Sequence, residues 1–206
     1  MNLVFDFGVV LFNWQPAQLV ASTFPELTPT AEEARHLAHA IFGHEDWHSF
    51  DRGTVEIDDV VQRTSLRLNL PHAPLHGLVS HIGERLTPVE ETVSVLNRLT
   101  HRRSQQDDLR LYFLSNMPMP YARVLEQRHA FLKNFDGGIF SGDVKLIKPD
   151  PAIYELLESR YVLDPGRTLF IDDLKSNVEA AKKRGWQGIH FESTAQMESD
   201  LKSYDF

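Results

Sequence analysis

The chain opens on Leu3-Val4-Phe5-Asp6-Phe7, an apolar run broken by one acid. A parallel strand buried on both faces has this pattern. Gly8 follows, then four more apolar residues, Val9 to Phe12. Between residue 16 and about residue 86 strand signals are scarce, and apolar positions recur at helical spacing. A helix is predicted from Pro29 onward, capped by Thr28 or Thr30. Glu32 and Glu33 lie in its first turn, and Leu37, Ala40 and Ile41 along its apolar stripe. Two further helices are predicted over Ile57–Leu68 and Pro74–Glu84.

From Val89 helices and strands alternate. Val89–Leu99 reads as a helix and His101–Asp108 as a polar loop. Leu109–Leu114 is a strand ending in Ser115-Asn116. Tyr121–Phe131 has helical period, Gly138–Phe140 is a short strand, and Asp150–Tyr161 is a helix with Pro151 suited to its first turn. Thr168–Ile171 is a strand ending in Asp172-Asp173. Ser176–Arg184 is a helix stopped by Gly185, Gly188–Phe191 is the last strand, and a short helix follows Thr194. This alternation argues for a parallel sheet with right-handed crossovers. The predicted fold is α/β, a Rossmann-like parallel sheet core with an inserted helical cap. Residues 1–13 and 88–206 form the predicted core, and residues 14–87 the cap.

Composition narrows the function. With 206 residues, 42% of them hydrophobic, the chain is long enough for a sizeable core. A formal net charge of -8 argues against broad nucleic-acid or anionic-membrane surfaces. The absence of cysteine removes disulfides, thiolate metal sites and thiol nucleophiles. No apolar run reaches the roughly 20 residues of a membrane span, and the N-terminus lacks a signal-peptide pattern. A cytoplasmic protein is expected, with no nucleic-acid or membrane partner.

Three predicted strands end in polar residues: Asp6, Ser115-Asn116 and Asp172-Asp173. A fourth element, Lys148-Pro149-Asp150-Pro151, precedes a helix. In a parallel sheet the carboxyl ends of the strands share one edge, where ligands bind. Four distant segments therefore converge on one pocket.

In this order the four segments resemble the haloacid dehalogenase-like hydrolase superfamily, and within it the capped phosphatases. Asp6-Phe7-Gly8-Val9-Val10 stands for the first motif, Ser115 for the second, Lys148 for the third and Asp172-Asp173 for the fourth. The resemblance covers roughly residues 1 to 13 and 88 to 192. It implies that Asp6 attacks phosphorus and forms an aspartyl-phosphate on a small phosphorylated substrate. It also implies Mg²⁺ held by Asp6, the Gly8 carbonyl, Asp173 and Asp172, because two anions must be brought together. Ser115 and the Asn116 backbone N–H would donate to the phosphoryl oxygens, and Lys148 would neutralise their charge. Asn177 would orient the loop after the acidic pair.

Position 8 departs from the pattern. The family's phosphatases carry a second Asp there, which protonates the leaving oxygen and later activates water. Gly8 has no side chain, which matches family members with Asp-x-Gly, hexose-1-phosphate phosphatases among them. A sugar phosphate is one substrate this implies, and His44, Glu45 or His48 are the candidate replacement acids. Two alternatives stand beside this reading. A metal-independent 2-haloacid dehalogenase releases halide without a proton, but has no use for Asp172-Asp173. A weakly active member acting as a binding protein draws support from Gly8 alone. In the cap, Trp47, His48, Phe50 and Arg52 are the candidate substrate contacts, and packing of the cap's small core is the favoured role for Trp47 and Phe50. Seven of the ten histidines lie between His36 and His81. No acidic ligand set accompanies them, so a solvated or packed role is expected.

Overall fold

The computed structural model describes residues 1–104 and 108–204. Five parallel strands form one sheet: β1 (Asn2–Phe5), β2 (Arg110–Ser115), β3 (Gly137–Phe140), β4 (Thr168–Asp172) and β5 (Gln187–His190), in the order β3-β2-β1-β4-β5. Strand β1 is central, with Asn2–Phe5 in register with Arg110–Phe113 on one side and Thr168–Ile171 on the other. Six helices separate β1 from β2 along the chain before the long α7 (Glu90–Arg103). They are α1 (Pro16–Thr23), α2 (Ala31–Phe42), α3 (Glu45–Asp51), α4 (Ile57–Leu68), α5 (His72–Ser80) and α6 (Ile82–Arg85). The remaining α-helices among the described residues are α8 (Met119–Arg128), α9 (Ser141–Val144), α10 (Pro151–Tyr161), α11 (Lys175–Lys183) and α12 (Thr194–Lys202).

Both faces of the sheet are covered, which is why its strands read as continuous apolar runs. The pleat sends Val4, Tyr112, Leu114 and Phe170 to one face. There they pack against Ile153, Tyr154 and Leu157 of α10, Ala181 of α11 and Trp186. Tyr154 is fully buried, and its hydroxyl donates to the Asn177 carbonyl at 3.0 Å, so its polar atom is satisfied. Leu3, Phe5, Leu111, Leu169 and Ile171 face the other way. They join one continuous cluster that runs through Phe7 and Phe12 to Ile41, Trp47, Phe50 and Leu75 of the inserted helices. Each such side chain contributes about 1.5–3 kcal/mol on burial, so the inserted helices share a core with the sheet.

Local chemistry explains most element ends. Thr30 and Glu33 form a reciprocal capping box at the start of α2. Asp150 caps α10 by accepting from the Ala152 N–H at 2.9 Å, with Pro151 in the first turn. Helix α4 spans the predicted Ile57–Leu68 and stops at Asn69 in the left-handed region. Several elements differ from expectation. The predicted loop at His101–Asp108 begins later, because α7 continues to Arg103; residues 105–107 lie outside the described residues. The predicted Pro74–Glu84 helix starts earlier, at His72, and breaks at His81, whose backbone leaves helical torsions (φ −112°, ψ 13°). Helices α1 and α3 were not predicted; eight and seven residues are too few to show a helical period.

Candidate active site

Strand order reverses direction at β1, so the crevice of the sheet opens beyond its carboxyl end. Asp6 is the first residue past β1. Its N–H still donates to the Ile171 carbonyl (2.9 Å), which ties it to β4, and its Oδ1 accepts from the Phe7 N–H at 2.7 Å. A tight turn follows, closed by Leu11 and Phe12 N–H groups on the Phe7 carbonyl (2.9 and 2.8 Å). Val9 sits inside it at φ 61°. A β-branched residue there costs on the order of 1–3 kcal/mol, strain of the kind that collects at functional sites.

Lys148 lies between two carboxylates and is 3% exposed. Its Nζ is 2.8 Å from Asp6 Oδ1 and 2.7 Å from Asp172 Oδ2. The Asn116 side chain fixes the lysine's backbone: Nδ2 donates to the Lys148 carbonyl (3.0 Å), and Oδ1 accepts from the Lys148 N–H (2.8 Å). Asp172 is fully buried. Its Oδ1 accepts from the Leu174 N–H and both its oxygens accept from Asn177 Nδ2 (2.8, 3.0 and 3.1 Å). Asp173, the next residue, lines the cavity.

Burial pushes the Asp6 carboxyl up to about 7, against the pull of the Lys148 charge and with a push from Asp172. Burial and Asp172 likewise raise Asp173 to about 6. Burial alone would lower Lys148, but Asp172 and Asp6 outweigh it and hold its pKa above the usual lysine value. Three carboxylates thus face one ammonium, a surplus of negative charge that suits a divalent cation. Asp6, Asp172 and Asp173 each offer an oxygen within 4.8 Å of the others. An all-oxygen set of this kind matches a hard ion such as Mg²⁺. Asp172 is already saturated by its donors, so Asp6 and Asp173 are the open ligands. The Gly8 carbonyl accepts one bond, from the Val10 N–H at 2.6 Å, and has a second lone pair to offer.

Beside these groups opens a cavity of about 490 Å³. Asp6, Gly8, Asn116, Lys148, Asp173 and Asn177 supply polar lining, joined by His48 and Asp51 from α3. Most of the remaining lining is aromatic or aliphatic, with Phe12, Trp14, Phe42, Trp47, Ile82, Leu86, Met117 and Tyr121 among it.

The structure brings Asp6, Gly8, Asn116, Lys148 and Asp173 together at this cavity, with Asp172 directly behind Lys148. Ser115 is buried at the end of β2, next to Asn116. Trp47 lines the cavity and also packs edge-on against Phe42 and Phe50 (centroids 4.6 and 5.4 Å apart). His48 lines the cavity, whereas Arg52 turns to Glu45 at 3.2 Å. His44 is spent as the cap of α3, accepting from the Asp46 N–H at 3.1 Å. Among the described residues the histidines form no ligand cluster. Sequence reasoning passed over Asp51 and Tyr121, both in the lining. Asn177 does orient the loop, through the two Asp172 oxygens.

A family model for haloacid dehalogenase-like hydrolases matches residues 4–185, and the chain belongs to that family. It is a phosphatase-like hydrolase by its relatives. A sesquiterpene phosphatase of Aspergillus oryzae is 28% identical over 187 residues, covering 91% of this chain and 87% of that protein. A drimenol cyclase of Aspergillus calidoustus is 26% identical over 204 residues, covering 97% of this chain but 35% of the longer cyclase. Among solved structures, a family enzyme from Bacteroides thetaiotaomicron, in complex with magnesium and inorganic phosphate, shares the fold with a TM-score of 0.69. It is 16% identical and covers 91% of this chain and 92% of its own. A dehalogenase shares the fold equally well (TM-score 0.70, 18% identical, 93% and 84% covered).

Proposed function

We propose that this chain is a Mg²⁺-dependent phosphatase for a small phosphate ester whose alcohol part is apolar, working through an aspartyl-phosphate on Asp6. The observation that carries this reading is the cavity itself, in which Asp6, Lys148 and Asp173 meet a lining dominated by aromatic and aliphatic side chains. Asp6 attacks phosphorus. Lys148 orients the attacking carboxylate and balances charge on the phosphoryl oxygens, to which the Asn116 N–H donates, while Ser115 lies buried beside it outside the cavity lining. Asp172, itself fixed by Asn177, holds Lys148 in place. Asp6, Asp173 and the Gly8 carbonyl would hold Mg²⁺, which, when bound, supplies the charge that lets a carboxylate and a phosphate approach. The inserted helices act as a cap over the site.

The ester class follows from the lining. A hexose buries several hydroxyls, and each left unpaired costs about 1–3 kcal/mol. A terpenyl or other hydrocarbon chain instead gains about 25 cal/mol per Å² of apolar surface it buries. The sugar phosphate expected from the Asp-x-Gly likeness is therefore the weaker fit, and the sesquiterpene phosphatase relative accords with the apolar one. Dehalogenation is disfavoured by the surplus of negative charge, which repels a haloacid carboxylate.

Two results are expected. A prenyl monophosphate is hydrolysed with a kcat/KM at least about tenfold above that for a hexose phosphate, as a few buried methylenes suffice to give. An equal or better rate on the hexose phosphate overturns the apolar reading. Asp173→Ala raises the Mg²⁺ concentration needed for half-maximal phosphate release by at least about tenfold, and an unchanged Mg²⁺ dependence removes Asp173 from the ligand set.

A further inference from the structure

Cleavage of an alkyl phosphate leaves an alkoxide, a far stronger base than any side chain at the site, so the leaving oxygen needs a proton. Gly8 offers none, and a Cβ built on Gly8 meets nothing within 4 Å. The turn after Asp6 therefore leaves open space where an acid is needed. The geometry points to Asp51, at the end of α3, as the general acid and base of this reaction, filling from the inserted helices the place left empty at Gly8. This inference rests on the phosphatase reading above.

Several observations converge on Asp51. It is half-buried and lines the same cavity as Asp6, Gly8 and Lys148. It is also locked to the sheet domain. The Asp51 carbonyl accepts from Ser141 Oγ at 2.5 Å, and that hydroxyl oxygen accepts from the Met117 N–H at 2.7 Å. Two residues on, Lys145 Nζ donates to the Gly53 carbonyl and, at 3.1 Å, to that of Gly142. Gly53 stands at φ 71°, where a Cβ would lie 2.5 Å from the Gly142 carbonyl oxygen. Only glycine permits so close an approach. Asp51 is thus held over the site by the core rather than left on a loose lid.

Other proton carriers in the lining are committed elsewhere. Tyr121 donates its hydroxyl to the Val79 carbonyl at 2.6 Å. His48 is paired with exposed Glu45 at 3.5 Å. Asp173 belongs to the proposed cation site. The charged groups facing Asp51 are Lys148 and Asp6, with the Tyr121 phenol on α8 also near it. Burial raises the Asp51 carboxyl well above the usual range, Lys148 opposes this and Asp6 adds to it. Burial and Asp6 thus favour the protonated form of Asp51.

The proton balance closes over two steps. Asp6 Oδ bonds to phosphorus, the bond from phosphorus to the ester oxygen breaks, and that oxygen takes the Asp51 proton and leaves as alcohol. The Asp51 carboxylate then takes a proton from water as the water oxygen attacks phosphorus. The bond to Asp6 breaks, inorganic phosphate leaves, and both carboxyls return to their starting states.

The test compares Asp51→Asn with wild type on an alkyl phosphate and on p-nitrophenyl phosphate, whose phenolate leaves without a proton. The alkyl phosphate is expected to lose about 10²- to 10⁴-fold in kcat/KM. The first burst of nitrophenolate from the aryl ester stays within about tenfold of wild type, with slow turnover after it. Adding Gly8→Asp to the Asp51→Asn protein recovers alkyl turnover by at least about tenfold, a rescue that a structural defect at Asp51 would not allow. Alkyl turnover by Asp51→Asn within about threefold of wild type overturns the assignment, as does equal loss of the alkyl reaction and the aryl burst; either leaves the phosphatase reading standing. Wild-type protein that releases no phosphate from either ester overturns that reading and this one together.

Discussion

Lys148→Met lowers stability by about 3–5 kcal/mol and abolishes turnover near neutral pH. Lys148 is the one ammonium between Asp6 and Asp172, at 2.8 and 2.7 Å, and all three groups are buried. Methionine fills the space but leaves Asp172, fully buried, with no counter-charge. For a chain of this length such a loss lowers the melting temperature by on the order of 10 °C. The chemical effect follows from the same charge. Lys148 is the main force opposing burial at Asp6. Without it the Asp6 carboxyl rises beyond about 7 and holds its proton, and a protonated carboxyl is no nucleophile. Residual activity in Lys148→Met should therefore climb as pH rises, and thermal unfolding together with a pH–rate profile checks both parts. A variant that melts within about 2 °C of wild type contradicts the assigned ion-pair energetics.

Asp6→Asn separates activity from stability. Turnover falls by about 10⁴-fold or more, the scale on which loss of a covalent nucleophile is felt. Stability moves the other way. The folded carboxyl is raised from 3.8 to about 7, chiefly by burial, so the folded state binds this proton more tightly than the unfolded chain. The stability linked to that proton is fully present below the unfolded value and is lost as pH rises through about 7. Wild-type protein above that pH carries a buried charge that asparagine does not. Asparagine still accepts from the Phe7 N–H and from Lys148. Metal-free Asp6→Asn is expected to melt at or above the wild-type temperature at about pH 8, with the gap closing toward about pH 4. A variant several degrees less stable than wild type at about pH 8 would show that burial is not the dominant force on Asp6.

Much of this architecture is written locally. Apolar runs at Leu3–Phe5 and Thr168–Ile171 have the pattern of strands buried on both faces, and a helix start near Thr28 or Thr30 is legible locally, with the fold selecting Thr30 as the cap. The site was legible where chemistry sits at strand ends, because a parallel sheet gathers those ends on one edge. What stayed hidden depends on how distant segments pack. Asp172 and Asp173 look equivalent in sequence, but the strand's last residue turns inward to Lys148 and Asn177 while its neighbour faces the cavity. The apolar character of the cavity comes from Phe12, Trp14, Phe42, Ile82 and Met117, which no spacing connects. Asp51 gives no signal of its own. Its place in the cavity lining depends on Ser141 and Lys145, far along the chain, which dock the end of α3. Arg52, beside it and more conspicuous as a phosphate ligand, spends its charge on Glu45.

The most direct measurement is release of inorganic phosphate from a prenyl monophosphate by wild-type protein, in Mg²⁺ and in chelator, with Asp6→Asn alongside. The account predicts release that stops in chelator and is absent from the variant. Release that persists in Asp6→Asn, or none from wild type while a short 2-halo acid yields halide, would contradict it.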